Sequence, residues 1–456
     1  MKKYFCFMMT VALFFAGFFS VFAQKIKPSI GTQVQNPIAI IHARIIDGNG
    51  GAPIEEGAIV IQGTKIIDVG PAANIKIPPE ARVLDAKGKT VMPALADMHV
   101  HLMGGWDGEV TEMLGYQRYL NALLYAGVTT VLDMGNVQPY VLQLRQEINS
   151  GRIMGSHIYC AGAIIDGTDP SWPDISFTVS SVEQIADIIS RQKKAGVDII
   201  KAYRGLSDLM LSRLVQEAKK ESLRVFLHGW SLNGFIQAGV AASAHLPGQR
   251  ISDEAIQMMK EMGIHCLTTL ATVESHSRCR LSDLSFLECR LIKDTTPPWF
   301  LEDLKKEASR SLSPEENERI KFVDKLLKEE QKNAKRMAEA GILLAAGTDA
   351  PYPGVFQGEG IHRELELLVE AGFTPLEAIS MATRNAALLM NAAEEWGTLA
   401  PGKLADILLL AGQPDKNISN TRNIEIVIQG GKILDRNALR FDPKKDPGFR
   451  QVPPSR

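Results

Sequence analysis

The spacing of apolar positions changes character twice along the chain. From Ala39 to Val91 the apolar residues fall in short runs, AIIHARIID, GAIVIQ, KIIDVG and ARVLD, separated by clusters of Gly, Asn and Pro. This is the pattern of strands and turns in a small β unit. Similar material returns near the other end, where GKLADILLL precedes IEIVIQGGKILD, and Gly430-Gly431 marks a hairpin turn. The second copy, IVIQGGKILD, echoes the first, IVIQGTKIID. Strand pieces so far apart predict one β-sandwich assembled from both chain ends, residues 24–92 and 396–456, around an inserted domain at 93–395.

Within that inserted stretch, β-rich runs alternate with helical patterns such as TEMLGYQRYLNALLYAG and SVEQIADIISRQKKAG. The β-rich runs are VMPALADMHVH, TTVLDM, HIYCAGA, VDIIKAY, RVFLH, VAASAH, IHCLTTL and ILLAAGTD. Apolar strands alternating with helices imply a parallel sheet covered on its outer face, and eight of them predict an α/β fold of the (β/α)8 TIM-barrel type. A doubly wound sheet would carry a Gly-rich phosphate turn after an early strand, and the sequence has none. After the seventh run, a charged helical insertion at about 275–330 reads either as a solvated helical pair or as a lid over the barrel mouth.

Composition narrows the class of partner. Hydrophobic residues make up 45% and charged residues 22%, with a net charge of -2, which argues against disorder and against a nucleic-acid footprint. A small-molecule substrate is the expected partner, and a homo-oligomer stays open. The chain starts with Lys2-Lys3, an apolar run and then Val21-Phe22-Ala23, the layout of a signal peptide over residues 1–23. Export to the periplasm or medium, without stable membrane insertion after cleavage, is the expectation. An uncleaved anchor competes, because the run approaches spanning length. In an exported protein Cys279 and Cys289 could form a local disulfide, while Cys160 and Cys266 fall within strands and read as buried thiols.

The candidate chemistry sits at the strand ends. His99 and His101 are one residue apart, so they project to the same side of a strand, and at the C-terminal end of a barrel strand that side is the mouth. The other strands end in Lys201, His228, His245 and Asp349, types that ligate or assist a metal ion. Asp97 shares the face of the two histidines and reads as a structural hydrogen-bonding group. Substrate contacts are expected from loops after the strands: Tyr203, Arg204 and His276, with Trp106, Asp107, Asp169 and Trp172 as further candidates. A guanidinium at Arg204 would match a substrate carboxylate as well as it would an internal ion pair. His42, His157 and His265 read as ordinary packed or surface residues, and His362 as a helix-packing or capping group.

This set resembles the amidohydrolase superfamily, in particular its imidazolonepropionase-like and prolidase-like members. The resemblance rests on His99-x-His101, the lysine of GVDIIKAY, the histidines of LHGW and SAHLPG, and the aspartate of AGTDA. GTLAPGKLADILLL is similar to the closing signature, and Ala94 stands where the family usually has glycine. The resemblance implies two divalent metal ions, zinc by default, and a CO2-derived carbamate on Lys201 that bridges them. His99, His101 and Asp349 would hold the buried ion, and His228 and His245 the outer one. A metal-bridged hydroxide would attack, with Asp349 as base and then acid. The implied activity is hydrolysis of an amide-type C–N bond in a dipeptide or N-acyl amino acid. Opening of a cyclic amide or imide, as by imidazolonepropionase or hydantoinase, is an alternative, as is ester or lactone hydrolysis. Retention of all six ligand positions argues against a non-enzymatic scaffold.

Overall fold

A computed structural model describes residues 36–105, 107–108, 112–229 and 236–446. The expected signal peptide and Trp106 lie outside the described residues. The N-terminal part of the described chain forms β1 (Ile38–Ile45), β2 (Ile54–Gln62), β3 (Lys65–Pro71), β4 (Arg82–Asp85) and β5 (Lys89–Pro93). The next strands are β6 (Leu95–Val100), β7 (Val128–Asp133), β8 (His157–Cys160), β9 (Ile164–Asp166), β10 (Ser176–Thr178), β11 (Ile200–Ala202), β12 (Val225–Leu227), β13 (Ala242–Ser243), β14 (His265–Leu267) and β15 (Leu344–Ala345). The last are β16 (Ile407–Ala411), β17 (Ile424–Gln429) and β18 (Lys432–Ile433).

Strands from both chain ends combine in one hydrogen-bonded sheet of eight, in the order β18-β17-β16-β5-β1-β2-β3 with β4 also on β1. The sequence predicts one β-sandwich built from both chain ends; the strands of both ends do share this sheet, where β5 runs antiparallel to β16 from Lys89 to Pro93 and joins the two contributions. One core fills it, including Ile40, Ile45, Ile59, Ile61, Ile407 and Ile428. The Gly430-Gly431 hairpin turn has φ of 52° and 73°, backbone that glycine adopts without strain. A Cβ on Gly431 would lie 1.9 Å from the carbonyl oxygen of Gly63, so the turns of the two echoed hairpins meet where only glycine fits.

The parallel strands form a sheet of three, β6-β7-β8, and one of seven, β10-β9-β11-β12-β13-β14-β15. Backbone bonds connect these sheets at both edges, including Asp349 N to His99 O at 2.7 Å and His101 N to Ala350 O at 2.8 Å just past β15. Asp198 N donates to Cys160 O at 2.9 Å beside β8, and Met98 N donates to Ala346 O at 3.0 Å between β6 and the end of β15. The eight runs read from the sequence supply β6, β7, β8 and β11 to β15, an arrangement consistent with a TIM barrel. The short β9 and β10 are additional; β9 follows the third run directly and β10 comes after an intervening loop, and neither carries a separate alternation of its own. Met98, Leu132, Phe226, Leu267 and Ala345 pack inside the strands, and a second, larger cluster joins the strands to the surrounding helices.

The charged stretch after β14 folds as short helical turns, the helix Pro298–Ser309 and the long helix Pro314–Glu339. Ser313 and Glu316 form a reciprocal capping box at the start of the long helix, with Pro314 in its first turn. Further along, Val323, Leu327, Ala334 and Met337 are buried and the helix packs on the helix Leu270–Ser277. Its second half therefore belongs to the helical layer and is not part of a solvated pair. The local disulfide does not form. Cys279 is exposed and Cys289 is half-buried, both as free thiols. Cys279 Sγ faces Asp324 Oδ1 at 3.7 Å, whereas Cys289 packs against the clusters containing Leu291 and Leu287. Cys160 and Cys266 are buried thiols, as expected. Among the described residues no helix is long and apolar enough to cross a membrane.

Candidate metal centre

Alternation along β6 places His99 and His101 on one side, and the turn after β15 returns Asp349 to meet them. Asp349 has φ of 57°, a left-handed conformation that Asp tolerates better than most residues. Its Oδ1 lies 3.2 Å from His99 Nε2 and 3.1 Å from His101 Nε2. The donor atoms of these three residues all lie within 4.8 Å of one another. Two donors on one tetrahedral zinc, each at about 2.0–2.1 Å, are separated by roughly 3.3 Å, so the spacing suits a shared ion.

Hydrogen bonding to the far side of each ring makes the argument stronger. His99 Nδ1 is 3.0 Å from Ala244 O, and His101 Nδ1 is 2.9 Å from Gly135 O. A ring nitrogen facing a carbonyl carries the proton, so each neutral ring turns the lone pair of Nε2 toward Asp349. Burial, reinforced by Lys201, holds His99 well below the usual imidazole range. For His101, burial acts in the same direction, but the bond to Asp349 and its charge reverse the outcome and raise it. At His99 a lone pair faces a carboxylate oxygen of Asp349, a repulsion that a cation held by both would relieve.

His228 and His245 form a second pair, with His245 Nε2 2.9 Å from His228 Nδ1. His245 Nδ1 is held 2.8 Å from Thr269 Oγ1, and His228 stacks on Tyr203 with ring centroids 4.3 Å apart and planes at 12°. Burial is the main cause that keeps both imidazoles well below their ordinary range, with Lys201 adding to it.

Lys201 lies among these groups on β11. It is 0% exposed, and its Nζ has no hydrogen-bond partner. Burial pushes its ammonium down to about 7, against the pull of Asp349. An amine that is substantially neutral near pH 7 is the form that reacts with CO2, and the resulting carbamate would supply two anionic oxygens in place of an unpaired cation. The residues present therefore fit two divalent ions and a modified lysine. His99, His101 and Asp349 would hold one ion, His228 and His245 the other, and Lys201 would reach both.

The surrounding groups sort as follows. Asp97 is buried. Its Oδ1 accepts from His99 N at 3.2 Å and Thr348 N at 3.0 Å, and its Oδ2 from Thr348 Oγ1 at 2.6 Å, the structural role expected of it. Two cavities flank the centre. One, of ≈ 330 Å³, is lined by His101, Trp172, Tyr203, Arg204 and Asp349. The other, of ≈ 290 Å³, is lined by His228, His245, His276, Glu330 and Asp349. The structure thus brings Tyr203, Arg204 and His276 to the centre's borders, while Asp107 and Asp169 line neither cavity. His362 is buried between Thr421 Oγ1 and Ala126 O, each 2.9 Å away, which is a packing role. Sequence reasoning missed Tyr352, which lines both cavities; its signal is its place three residues after Asp349. It also missed Glu330.

Comparison with known proteins follows the same lines. The sequence profile of the amidohydrolase family matches residues 90–434. The chain is 25% identical over 455 residues to ochratoxinase of Aspergillus niger, covering 87% of this chain and 86% of that one. It is also 25% identical over 447 residues to imidazolonepropionase of Geobacillus kaustophilus, covering 84% and 90%. Among solved structures, a putative prolidase from Bifidobacterium longum superposes with a TM-score of 0.72 at 26% identity, over 89% of this chain and 98% of the other. An Xaa-Pro dipeptidase with bound methionine gives a TM-score of 0.71 at 22% identity, over 88% and 100%, and shares the fold. The chain belongs to the amidohydrolase family.

Proposed function

With that membership as premise, we propose that the chain is an exported, divalent-metal-dependent hydrolase cleaving the amide-type C–N bond of a dipeptide or N-acyl amino acid. The observation that carries this reading is Lys201, fully buried, without a hydrogen-bond partner, amid four histidines and an aspartate. A buried unpaired ammonium is costly, and carboxylation gives it a reason to be there.

Bound divalent cations would supply a water acidified toward neutral pH and a Lewis acid for the scissile carbonyl, with zinc the default for this mix of ligands. The remaining work belongs to the chain. Asp349 uses Oδ1 for both histidines, which leaves Oδ2 to take the proton of the attacking water and pass it to the leaving amine. The Ala244 and Gly135 carbonyls hold the His99 and His101 rings in one tautomer, and Tyr203 fixes the plane of His228. Arg204, exposed on the wall of the first cavity, offers a planar fork for a substrate carboxylate, and His276 borders the second.

The test is to load the chain from Gln24 onward with zinc, measure metal per chain, and screen dipeptides and N-acyl amino acids for released amino acid. Two ions per chain and turnover of at least one class are expected. A single ion would favour the one-metal chemistry of imidazolonepropionase-like enzymes, and no turnover across the panel would overturn the substrate assignment. N-terminal sequencing of the exported protein should begin at Gln24, and an intact Met1 would refute cleavage.

A further inference from the structure

The helix Pro314–Glu339 carries a buried stripe in which Val323, Leu327, Ala334 and Met337 are apolar. The same buried face holds Asn333, whose Nδ2 donates to Pro247 O and Gln249 O, and Glu330, at a position where the spacing calls for another hydrophobic residue. Glu330 is 3% exposed, and its Oε2 has no hydrogen-bond partner. Burial, with the charge of a second acid, Glu364, adding to it, holds its carboxyl well above the ordinary range. A buried acid without a donor costs free energy that leucine would avoid. Glu330 lines the ≈ 290 Å³ cavity that borders His228, His245 and Asp349, a volume near the lower end of ligand cavities, about 300 Å³. Arg250 lines the same cavity from an exposed position, but it is not among the groups that act on Glu330.

We infer that Glu330 is a specificity residue, receiving the side-chain ammonium or guanidinium of the residue that contributes the scissile carbonyl. The inference rests on the proposed hydrolysis of C–N bonds and selects within it. Arg204 in one cavity takes the substrate carboxylate, and Glu330 in the other takes the basic side chain. The favoured class is then a dipeptide with Lys or Arg at its N-terminal position. An N-acyl amino acid with an uncharged acyl group leaves Glu330 without a partner.

The test compares lysyl-leucine with norleucyl-leucine, which differs mainly by the loss of the charged amine, on the zinc-loaded protein and on Glu330→Gln. The wild type should favour lysyl-leucine by about ten- to a hundredfold in kcat/KM, the range of a charge-assisted hydrogen bond, and Glu330→Gln should bring the ratio close to one. An unchanged ratio in the variant, or equal loss on both substrates, overturns the inference. A second readout does not need turnover: calorimetric binding of lysinamide against norleucinamide should show about the same preference in the wild type. If nothing is hydrolysed but lysinamide is still preferred, the proposed reaction fails and the pocket assignment stands. If dipeptides are hydrolysed without preference for a basic residue, only the pocket assignment fails. Should Glu330→Gln fail to fold, the wild-type preference decides alone, and its absence overturns the inference.

Discussion

Lys201 and Glu359 are both ionisable groups buried beneath the strands and helices, and the difference lies in what surrounds them. Glu359 is 1% exposed and meets Arg280 Nη2 at 2.7 Å and Arg422 Nη2 at 3.1 Å, both at Oε1. Burial alone would raise its carboxyl, but the two guanidinium groups outweigh that and hold it at about 2. Arg280 also lies over the Phe286 ring, 4.3 Å from its centroid. Lys201 has comparable burial and no hydrogen bond. A compensated buried charge ties the helix Glu359–Glu370 to the segment after β14 through Arg280 and to the turn between β16 and β17 through Arg422. An uncompensated one is a poor fastener, and its retention points to chemistry.

The two sites should therefore respond to mutation in opposite ways. The largest effect is expected from Asp349→Asn, which removes the proton acceptor while keeping a ligand oxygen: kcat should fall by about 10³- to 10⁴-fold with much of the metal retained. Near-normal kcat in this variant would remove Asp349 from the mechanism. Lys201→Met should lower kcat/KM by about 10³-fold, an effect of ~4 kcal/mol on the barrier, and reduce metal per chain, while the thermal stability of the metal-free protein holds or rises because a buried unpaired amine is gone. If Lys201→Met lowers this Tm as Glu359→Gln does, the contrast between the sites is broken.

Glu359→Gln should instead cost ~3 kcal/mol of stability at pH 7, the free-energy equivalent of the gap between about 4.5 and about 2. Turnover per folded molecule should be unaffected. The carboxyl is depressed in the folded chain, so its contribution is complete above about 4.5 and fades as pH falls toward about 2. Denaturant melts of both proteins across that window should converge, and a constant difference would assign the loss to packing. The smallest effect is expected from Tyr203→Leu, which removes the ring stacked on His228: occupancy of the outer ion should weaken by about tenfold with the inner ion unaffected. Equal loss of both ions would show that Tyr203 supports the centre as a whole.

Much of this was legible beforehand, for reasons that differ by residue. The eight strand runs were readable because strands buried on both faces leave continuous apolar stretches ending in one polar residue. The same feature marked His99, His101, Lys201, His228, His245 and Asp349 before any of them could be seen together. Glu330 was not found, although a single acid in a stripe of Val323, Leu327, Ala334 and Met337 was there to be noticed. The charged residues around it made the whole segment look solvated. That the two chain ends share one β unit is legible in their echoed hairpins, but the pairing of β5 with β16 that joins them is not, because it links residues more than three hundred apart and no local pattern encodes a long-range partner.

The sequence by itself determined which residue types stand at the ends of the strands and which faces are apolar, since side-chain alternation and hydrophobic period are local properties of the chain. Only the tertiary structure decided which nitrogen of each imidazole is tied to a carbonyl, which charges find partners and which do not, and which helix acid turns toward the mouth. Those depend on groups brought together from distant parts of the chain, and it is their presence at Glu359 and absence at Lys201 and Glu330 that separates a fastening from a site.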